Sequence, residues 1–186
     1  VRRILFPGDN LRAPRNVAQS SENPSRAVDS HPASRPPPGA QVFPVEKDST
    51  DGEIALQMLL SRGCRQIDIY GGGGGREDHL FGNLQLLVAA HRAGAHAVMH
   101  TKYTDISCGE GEICWKGQRG KTLSLAPVGE RAHIMESEGL RYPLQDLTLT
   151  AGSCRGISNV VLSDEARILC DEGTLFLFLV REDSKW

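Results

Sequence analysis

The chain has 186 residues, enough for one domain or two small ones. Its hydrophobic content of 39% and charged content of 24% are typical of a globular protein with an apolar core. A net charge of −2 gives no reason to expect nucleic acid or a membrane surface as a partner. The five cysteines form no Cys-x-x-Cys pair, and their odd number argues against a complete disulfide framework. We therefore expect reduced thiols and a cytoplasmic location.

The first 40 residues differ in composition from the rest. The stretch Asn10–Ala40 is rich in Pro, Ser, Arg and Asn and has almost no large apolar side chains. Such a segment buries too little apolar surface to offset the entropy of the ordered chain. The sequence thus predicts a loop-rich or disordered, divergent N-terminal segment over residues 1–40.

Residues 41–107 alternate between strand and helix patterns. Gln41–Phe43 and Gln66–Tyr70 have the character of strands, and Ala97–Met99 begins another. Thr50 with Glu53 has the spacing of a helix capping box, and a second helix is expected from near Asp78. This alternation predicts a parallel sheet covered by helices, as a partial three-layer α/β domain.

A run of five glycines, Gly71–Gly75, joins the strand to the second helix. Glycines let the backbone turn sharply and approach a ligand, and a helix N-terminus favours an anion such as phosphate. Arg76 and Asp78 follow at the start of the helix. A plain flexible loop is the alternative for the glycines, and helix capping is the alternative role for Asp78.

Four carboxylates and a lysine lie between Glu46 and Glu53, at the start of the first helix. Adjacent parallel strands would bring this acidic stretch close to the glycine loop, since ligands bind at the carboxyl ends of strands. Carboxylates that hold Mg²⁺, together with N–H groups and Arg that hold phosphate oxygens, suit phosphoryl chemistry. Simple helix capping is an equally good explanation of the carboxylates alone.

From residue 108 onward, short alternating runs are separated by turn residues, and no helical stretch is predicted. This pattern predicts an antiparallel β-sandwich over residues 108–186. The last two predicted strands, Ala166–Leu169 and Thr174–Val180, are separated by Gly173. The predicted fold class is therefore α/β followed by all-β.

Several stretches together resemble one family. They are Phe43-Pro-Val-Glu-Lys-Asp-Ser-Thr-Asp-Gly-Glu-Ile-Ala-Leu56, Gly71–Leu87 with its Gly-Gly-Gly-Gly-Gly-Arg-Glu-Asp-His core, Gly139-Leu-Arg-Tyr-Pro-Leu144 and Arg155-Gly-Ile-Ser-Asn159. In order and spacing they resemble thiamine pyrophosphokinases of the bacterial type, over roughly residues 41–182.

The resemblance implies transfer of pyrophosphate from ATP to thiamine, giving thiamine pyrophosphate and AMP, with Mg²⁺ as cofactor. It also implies an α/β domain followed by a β-sandwich that binds thiamine. The family forms homodimers, with the site at the subunit interface. No nucleic acid or membrane partner is implied.

The resemblance also implies roles for individual residues. Asp51, Arg76 and Asp78 would be catalytic, with Asp51 as a Mg²⁺ ligand and Asp78 orienting the thiamine hydroxyl. Ser158 and Asn159 would bind thiamine. The residues implied to bind ATP or its phosphates are Lys47, Asp48, Thr50, Gly72, Gly73, Gly74, Gly75 and Arg76.

The family carries an earlier Gly-Asp-Phe-Asp-Ser motif whose aspartates bind metal, and this motif is not intact here. Asp29, in Val28-Asp29-Ser30, is the second candidate metal ligand. A catalytically impaired thiamine-binding or assembly protein of the same family is therefore the alternative function. A generic dinucleotide-binding module is less favoured, because the glycine loop lacks a Gly-x-Gly-x-x-Gly pattern.

Overall fold

A computed structural model describes residues 1–5 and 48–181 of the chain. The chain divides into two compact units, residues 1–102 and residues 103–186. The predicted strand at residues 41–43, the loop-rich stretch 10–40 and the candidate ligands Asp29 and Lys47 lie outside the described residues.

The first unit contains a parallel sheet in the order β1 (Arg2–Leu5), β2 (Gln66–Tyr70) and β3 (His96–His100). Strands β2 and β3 agree with the prediction. Strand β1 lies in the segment for which only loop or disorder was expected, yet Ile4 is buried and pairs with Ile69. Four residues beside a long polar stretch are too few for a hydrophobic period to stand out.

Two helices pack against this sheet. Helix α1 (Asp51–Ser61) has Thr50 as its N-cap in a complete capping box with Glu53, as predicted. Helix α2 (Glu77–Arg92) contacts α1 and β3. The helix-covered face of the sheet carries the buried residues Ile67, Ile69, Ala97 and Met99. The described part of this unit thus supplies one sheet and one helical layer.

The alternate residues of β2 and β3 form the opposite face, which is partly exposed. Tyr70 stacks on His100 with ring centroids 4.7 Å apart, and His100 Nε2 lies 3.1 Å from Asp68 Oδ1. The Arg3 guanidinium lies over the Tyr70 ring.

In the described part of the chain, neither helix is long and apolar enough to cross a membrane.

The second unit is antiparallel and is built around two long strands, β4 (Thr104–Lys116) and β9 (Glu165–Val180). They pair near both ends, and the register shifts between Gly109 and Gly111, where residues 171–174 of β9 have no partner in β4. The other edge of β9 is shared by two shorter strands. β5 (Thr122–Pro127) pairs with the C-terminal half of β9, and β6 (Arg131–Glu138) pairs with the N-terminal half of β9. β7 (Leu147–Thr150) extends β6, and β8 (Asn159–Val160) extends β5.

The resulting two layers enclose one apolar core, as a β-sandwich does. Fully buried members of the core on β5, β6 and β9 include Leu123, Ile134, Ile168 and Leu175. All five cysteines of the chain are free. Burial raises the pKa of the Cys108 thiol to about 12, so this sulfur is not a nucleophile at neutral pH.

The prediction of two separate strands at residues 166–169 and 174–180 is wrong, because both belong to β9. Gly173 has a φ of +79°, and a Cβ added there would lie 2.6 Å from the Arg131 carbonyl oxygen. The glycine therefore allows β9 to bend while the backbone of β6 stays close. A glycine of this kind within a strand has the same sequence pattern as a turn between two strands.

Candidate functional site

The glycine loop leaves β2 at its carboxyl end and leads directly into α2. Gly71 and Gly74 have φ values of +75° and +83°, which residues with a Cβ rarely adopt. A Cβ on Gly72 would collide with the Met99 sulfur, and one on Gly73 would lie 3.1 Å from Thr101 Cγ2. The loop backbone is therefore packed down against β3, which favours a defined loop over a freely flexible one.

Asn83 holds the loop from the side of helix α2. Its Nδ2 donates a hydrogen bond of 2.9 Å to the Gly72 carbonyl oxygen, and its side chain is half-buried. No role of this residue is predicted from the sequence motifs. An asparagine in the interior of a helix, where its intrinsic propensity is low, is the signal that could have found it.

Arg76 and Asp78 form a two-point ion pair at the start of α2. Arg76 Nε lies 3.1 Å from Asp78 Oδ1, and Nη2 lies 2.5 Å from Oδ2. The Arg76 guanidinium holds the pKa of the Asp78 carboxyl below its ordinary value. Their side chains are 74% and 62% exposed, so both can reach a ligand in solvent. Asp78 is not the N-cap, because α2 begins at Glu77 and Arg76 holds that position.

The acidic stretch lies at the N-terminus of α1. Glu53 N–H donates to Thr50 Oγ1 at 3.2 Å, and Thr50 N–H donates to Glu53 Oε2 at 2.7 Å. Asp48 and Thr50 are exposed, and Asp51 is the first helical residue. The turn 62–65 joins the C-terminus of α1 to the start of β2, so the N-terminus of α1 lies at the carboxyl edge of the sheet. The N-terminus of α2 lies at the same edge, because α2 follows the carboxyl end of β2.

The described residues contain no group of three or more His, Cys, Asp or Glu side chains arranged to hold a metal ion. Mg²⁺ in nucleotide sites commonly takes only one or two protein carboxylates, and phosphates and water complete its octahedron. Asp51 at the helix start is a donor of the required type. The carboxylates present therefore fit a Mg²⁺ ion that is held mainly by a nucleotide.

Ser158 and Asn159 have different environments in the second unit. Ser158 is exposed and has a φ of +62°, a strained conformation for a serine, and its N–H donates to Ser124 Oγ at 2.9 Å. Strain of this kind is often found where a residue must face a ligand. The Ser158 hydroxyl is thus presented at the surface.

Asn159 is only 3% exposed, and its amide binds backbone groups. Oδ1 accepts hydrogen bonds from the N–H groups of Tyr142 at 3.0 Å and Val160 at 2.8 Å. Nδ2 donates to the Tyr142 carbonyl oxygen at 2.7 Å. Asn159 therefore ties the Gly139–Leu144 stretch to the Arg155–Asn159 stretch, which the sequence predicted only as separate motifs.

Two family descriptions match the chain, one in each half. "Thiamin pyrophosphokinase, catalytic domain" matches residues 39–99, and "Thiamin pyrophosphokinase, vitamin B1 binding domain" matches residues 112–175. The fold defines an α/β unit, with the glycine loop at the carboxyl edge of its sheet, followed by a β-sandwich. The chain belongs to the thiamine pyrophosphokinase family.

The similar proteins agree with this assignment. Thiamine pyrophosphokinase of Bacillus subtilis strain 168 is 32% identical over 143 residues, which are 75% of this chain and 66% of that protein. Its crystal structure matches with a TM-score of 0.68 at 28% identity, over 74% of this chain and 65% of the other. Thiamin pyrophosphokinase of Geobacillus thermodenitrificans matches with a TM-score of 0.68 at 29% identity, over 80% and 69%. The chain spans slightly less than two thirds of the B. subtilis protein.

Proposed function

We propose that this protein transfers the terminal pyrophosphoryl group of ATP to thiamine. The hydroxyethyl oxygen of thiamine attacks the β-phosphorus of ATP, the bond from that phosphorus to the α–β bridging oxygen breaks, and the hydroxyl proton leaves to base or water. The products are thiamine pyrophosphate and AMP. The observation that carries the proposal is the match of a catalytic and a vitamin B1-binding description, in that order, to one chain.

The glycine loop and Arg76 are proposed to hold the phosphates. Backbone N–H groups of Gly72 to Gly75 and the N-terminus of α2 favour an anion. The Arg76 guanidinium can donate two parallel hydrogen bonds, which its pairing with Asp78 already demonstrates. Arg76 thus offsets negative charge that builds up during transfer. Lys47, Asp48 and Thr50 are further candidates for the same phosphates.

Asp78 is proposed to orient the thiamine hydroxyl. The carboxyl is ionised at neutral pH, as an aspartate ordinarily is, and Arg76 holds its pKa lower still, so that it can accept a hydrogen bond from the attacking hydroxyl. Ser158 and Asn159 are proposed to form the thiamine pocket, with the exposed Ser158 hydroxyl as the group that contacts the ring.

Asp51, with Asp29 as a second candidate, is the proposed protein ligand of Mg²⁺, which would neutralise phosphate charge when bound.

A homodimer and a cytoplasmic location are further proposals. The first rests on the family resemblance and the second on the cysteine content. Light scattering of the purified protein tests the first, and a mass of one chain across micromolar concentrations would contradict it.

The reaction is tested by following AMP and ADP release from Mg-ATP with and without thiamine. We expect AMP to appear only with thiamine, in a 1:1 ratio with thiamine pyrophosphate. Thiamine binding without AMP release would instead indicate the impaired thiamine-binding protein. ADP as the main product would contradict pyrophosphoryl transfer.

A further inference from the structure

The hydrogen bond from Asn83 to the glycine loop fixes the direction of one peptide group. Gly72 C=O and Gly73 N–H belong to the same peptide, and there are no cis peptide bonds among the described residues. In a trans peptide these two groups point in opposite directions. Because Asn83 Nδ2 holds the carbonyl at 2.9 Å on the α2 side, the Gly73 N–H points away from α2.

The surroundings of Gly72 keep this orientation. A Cβ at Gly72 would lie 3.6 Å from Asn83 Nδ2 and would collide with the Met99 sulfur. The missing side chain therefore lets the Asn83 amide and Met99 approach the same backbone position. Without the Asn83 hydrogen bond, glycine on both sides of the peptide would let it rotate at little cost.

Helix formation does not explain this asparagine. Asn83 is the seventh residue of α2, inside the helix, where alanine would have higher intrinsic propensity. Gln85, two residues further on, is exposed. Gln85 thus offers a control amide on the same helix.

We propose that Asn83 is a positioning residue: by holding the Gly72 carbonyl against α2, it aims the Gly73 N–H at the phosphate chain of ATP. This inference rests on the proposed function of the glycine loop in binding ATP. Asn83 itself does not touch the nucleotide. Its effect is on the affinity for phosphate groups and leaves thiamine binding unchanged.

The test compares Asn83→Ala and Asn83→Asp with Gln85→Ala in the full chain. The measurements are calorimetric binding of inorganic pyrophosphate with Mg²⁺, the KM for ATP and for thiamine, the thermal midpoint, and the amide NMR signal of Gly73. We expect Asn83→Ala to weaken pyrophosphate binding and raise the KM for ATP about tenfold, without changing the KM for thiamine. Its thermal midpoint should stay close to that of the parent, because the gain in helix propensity offsets the lost hydrogen bond.

Asn83→Asp should weaken pyrophosphate binding further, since a carboxylate oxygen would face the Gly72 carbonyl oxygen. Gln85→Ala should match the parent in every measurement. Unchanged pyrophosphate affinity in Asn83→Ala, or no pyrophosphate binding by the parent, would overturn the inference. So would an equal loss of ATP and thiamine affinity with a lowered thermal midpoint. If Asn83→Ala weakens pyrophosphate binding as expected but the parent releases no thiamine-dependent AMP, the proposed function fails and the inference stands.

Discussion

Among individual side chains, the candidate residues of each unit include exposed groups and buried or half-buried groups that hold the backbone. Arg76, Asp78 and Ser158 are exposed, whereas Asn83 and Asn159 bind backbone groups from half-buried or buried positions. Exposed polar groups contribute little to folding and can exchange partners for substrate. Variants of the two sets should therefore affect different measurements.

Asp78→Asn should separate catalysis from stability. The amide keeps the size of the side chain but removes the charge that faces Arg76 and the acceptor proposed for the thiamine hydroxyl. We expect turnover to fall about 10²-fold, with an unchanged thermal midpoint. Glu77→Gln, at the neighbouring exposed position, is the matched control and should retain parental turnover. A thermal midpoint that drops in step with turnover would assign Asp78 a purely structural role.

Ser158→Ala and Asn159→Ala form a second matched pair of adjacent substitutions. Asn159→Ala leaves two N–H groups and one carbonyl of the backbone without their partner, so we expect the free energy of unfolding to fall by about 3 kcal/mol. Ser158→Ala should change it by less than about 0.5 kcal/mol and should weaken thiamine binding about fivefold. Denaturant unfolding and thiamine titration measure the two effects. Equal stability of the two variants would contradict this distinction.

Among the helices and strands, close contacts are found where a helix begins, where a loop joins a strand to a helix, and where a strand contains a glycine. The capping box of α1, the glycine loop between β2 and α2, and the backbone of β9 at Gly173 each depend on close contacts among a few residues. A further interaction of this type links three strands of the sandwich. His133 on β6 has Nδ1 at 2.6 Å from Asp171 on β9 and Nε2 at 3.1 Å from Asp146 before β7.

The His133 contacts should make the stability of the protein depend on pH. The hydrogen bond to Asp171, and to a smaller extent that to Asp146, raises the pKa of His133. The charged groups nearby, Arg131 of β6 and Glu172 of β9, pair with each other. Because the folded protein binds this proton more tightly than the unfolded chain, protonated His133 stabilises the fold. The stabilisation is complete at pH values below the ordinary histidine pKa of about 6.5, and it is lost as the pH rises through the raised pKa. Thermal melts of the parent and of His133→Gln should therefore differ most at acidic pH and converge at alkaline pH. A difference that stays constant with pH would contradict this assignment.

For the whole chain, the sequence was sufficient to predict the fold class. The strands β2 and β3, the capped helix α1 and the change to short alternating strands each have a local pattern with one physical meaning. The glycine run together with the Arg155–Asn159 stretch identified the family, because the two lie in different units and are matched independently. The family descriptions confirm that identification.

Other features depend on contacts between distant residues and have no local pattern. Strand β1 is four residues long and is defined by its partner β2. The continuity of β9 depends on the approach of β6 to Gly173. Likewise, the link from Asn159 to Tyr142 and that from Asn83 to Gly72 join residues 17 and 11 positions apart. A single sequence shows where such asparagines are but does not predict which backbone groups they bind.

The position of a phosphorus label tests the proposed reaction of the whole chain. With ATP labelled at the β-phosphorus, Mg²⁺ and thiamine, we predict that the label moves into thiamine pyrophosphate and that the AMP formed is unlabelled. Omission of thiamine should leave the label in ATP. Label recovered in ADP, or in free pyrophosphate at a rate independent of thiamine, would contradict the proposed transfer.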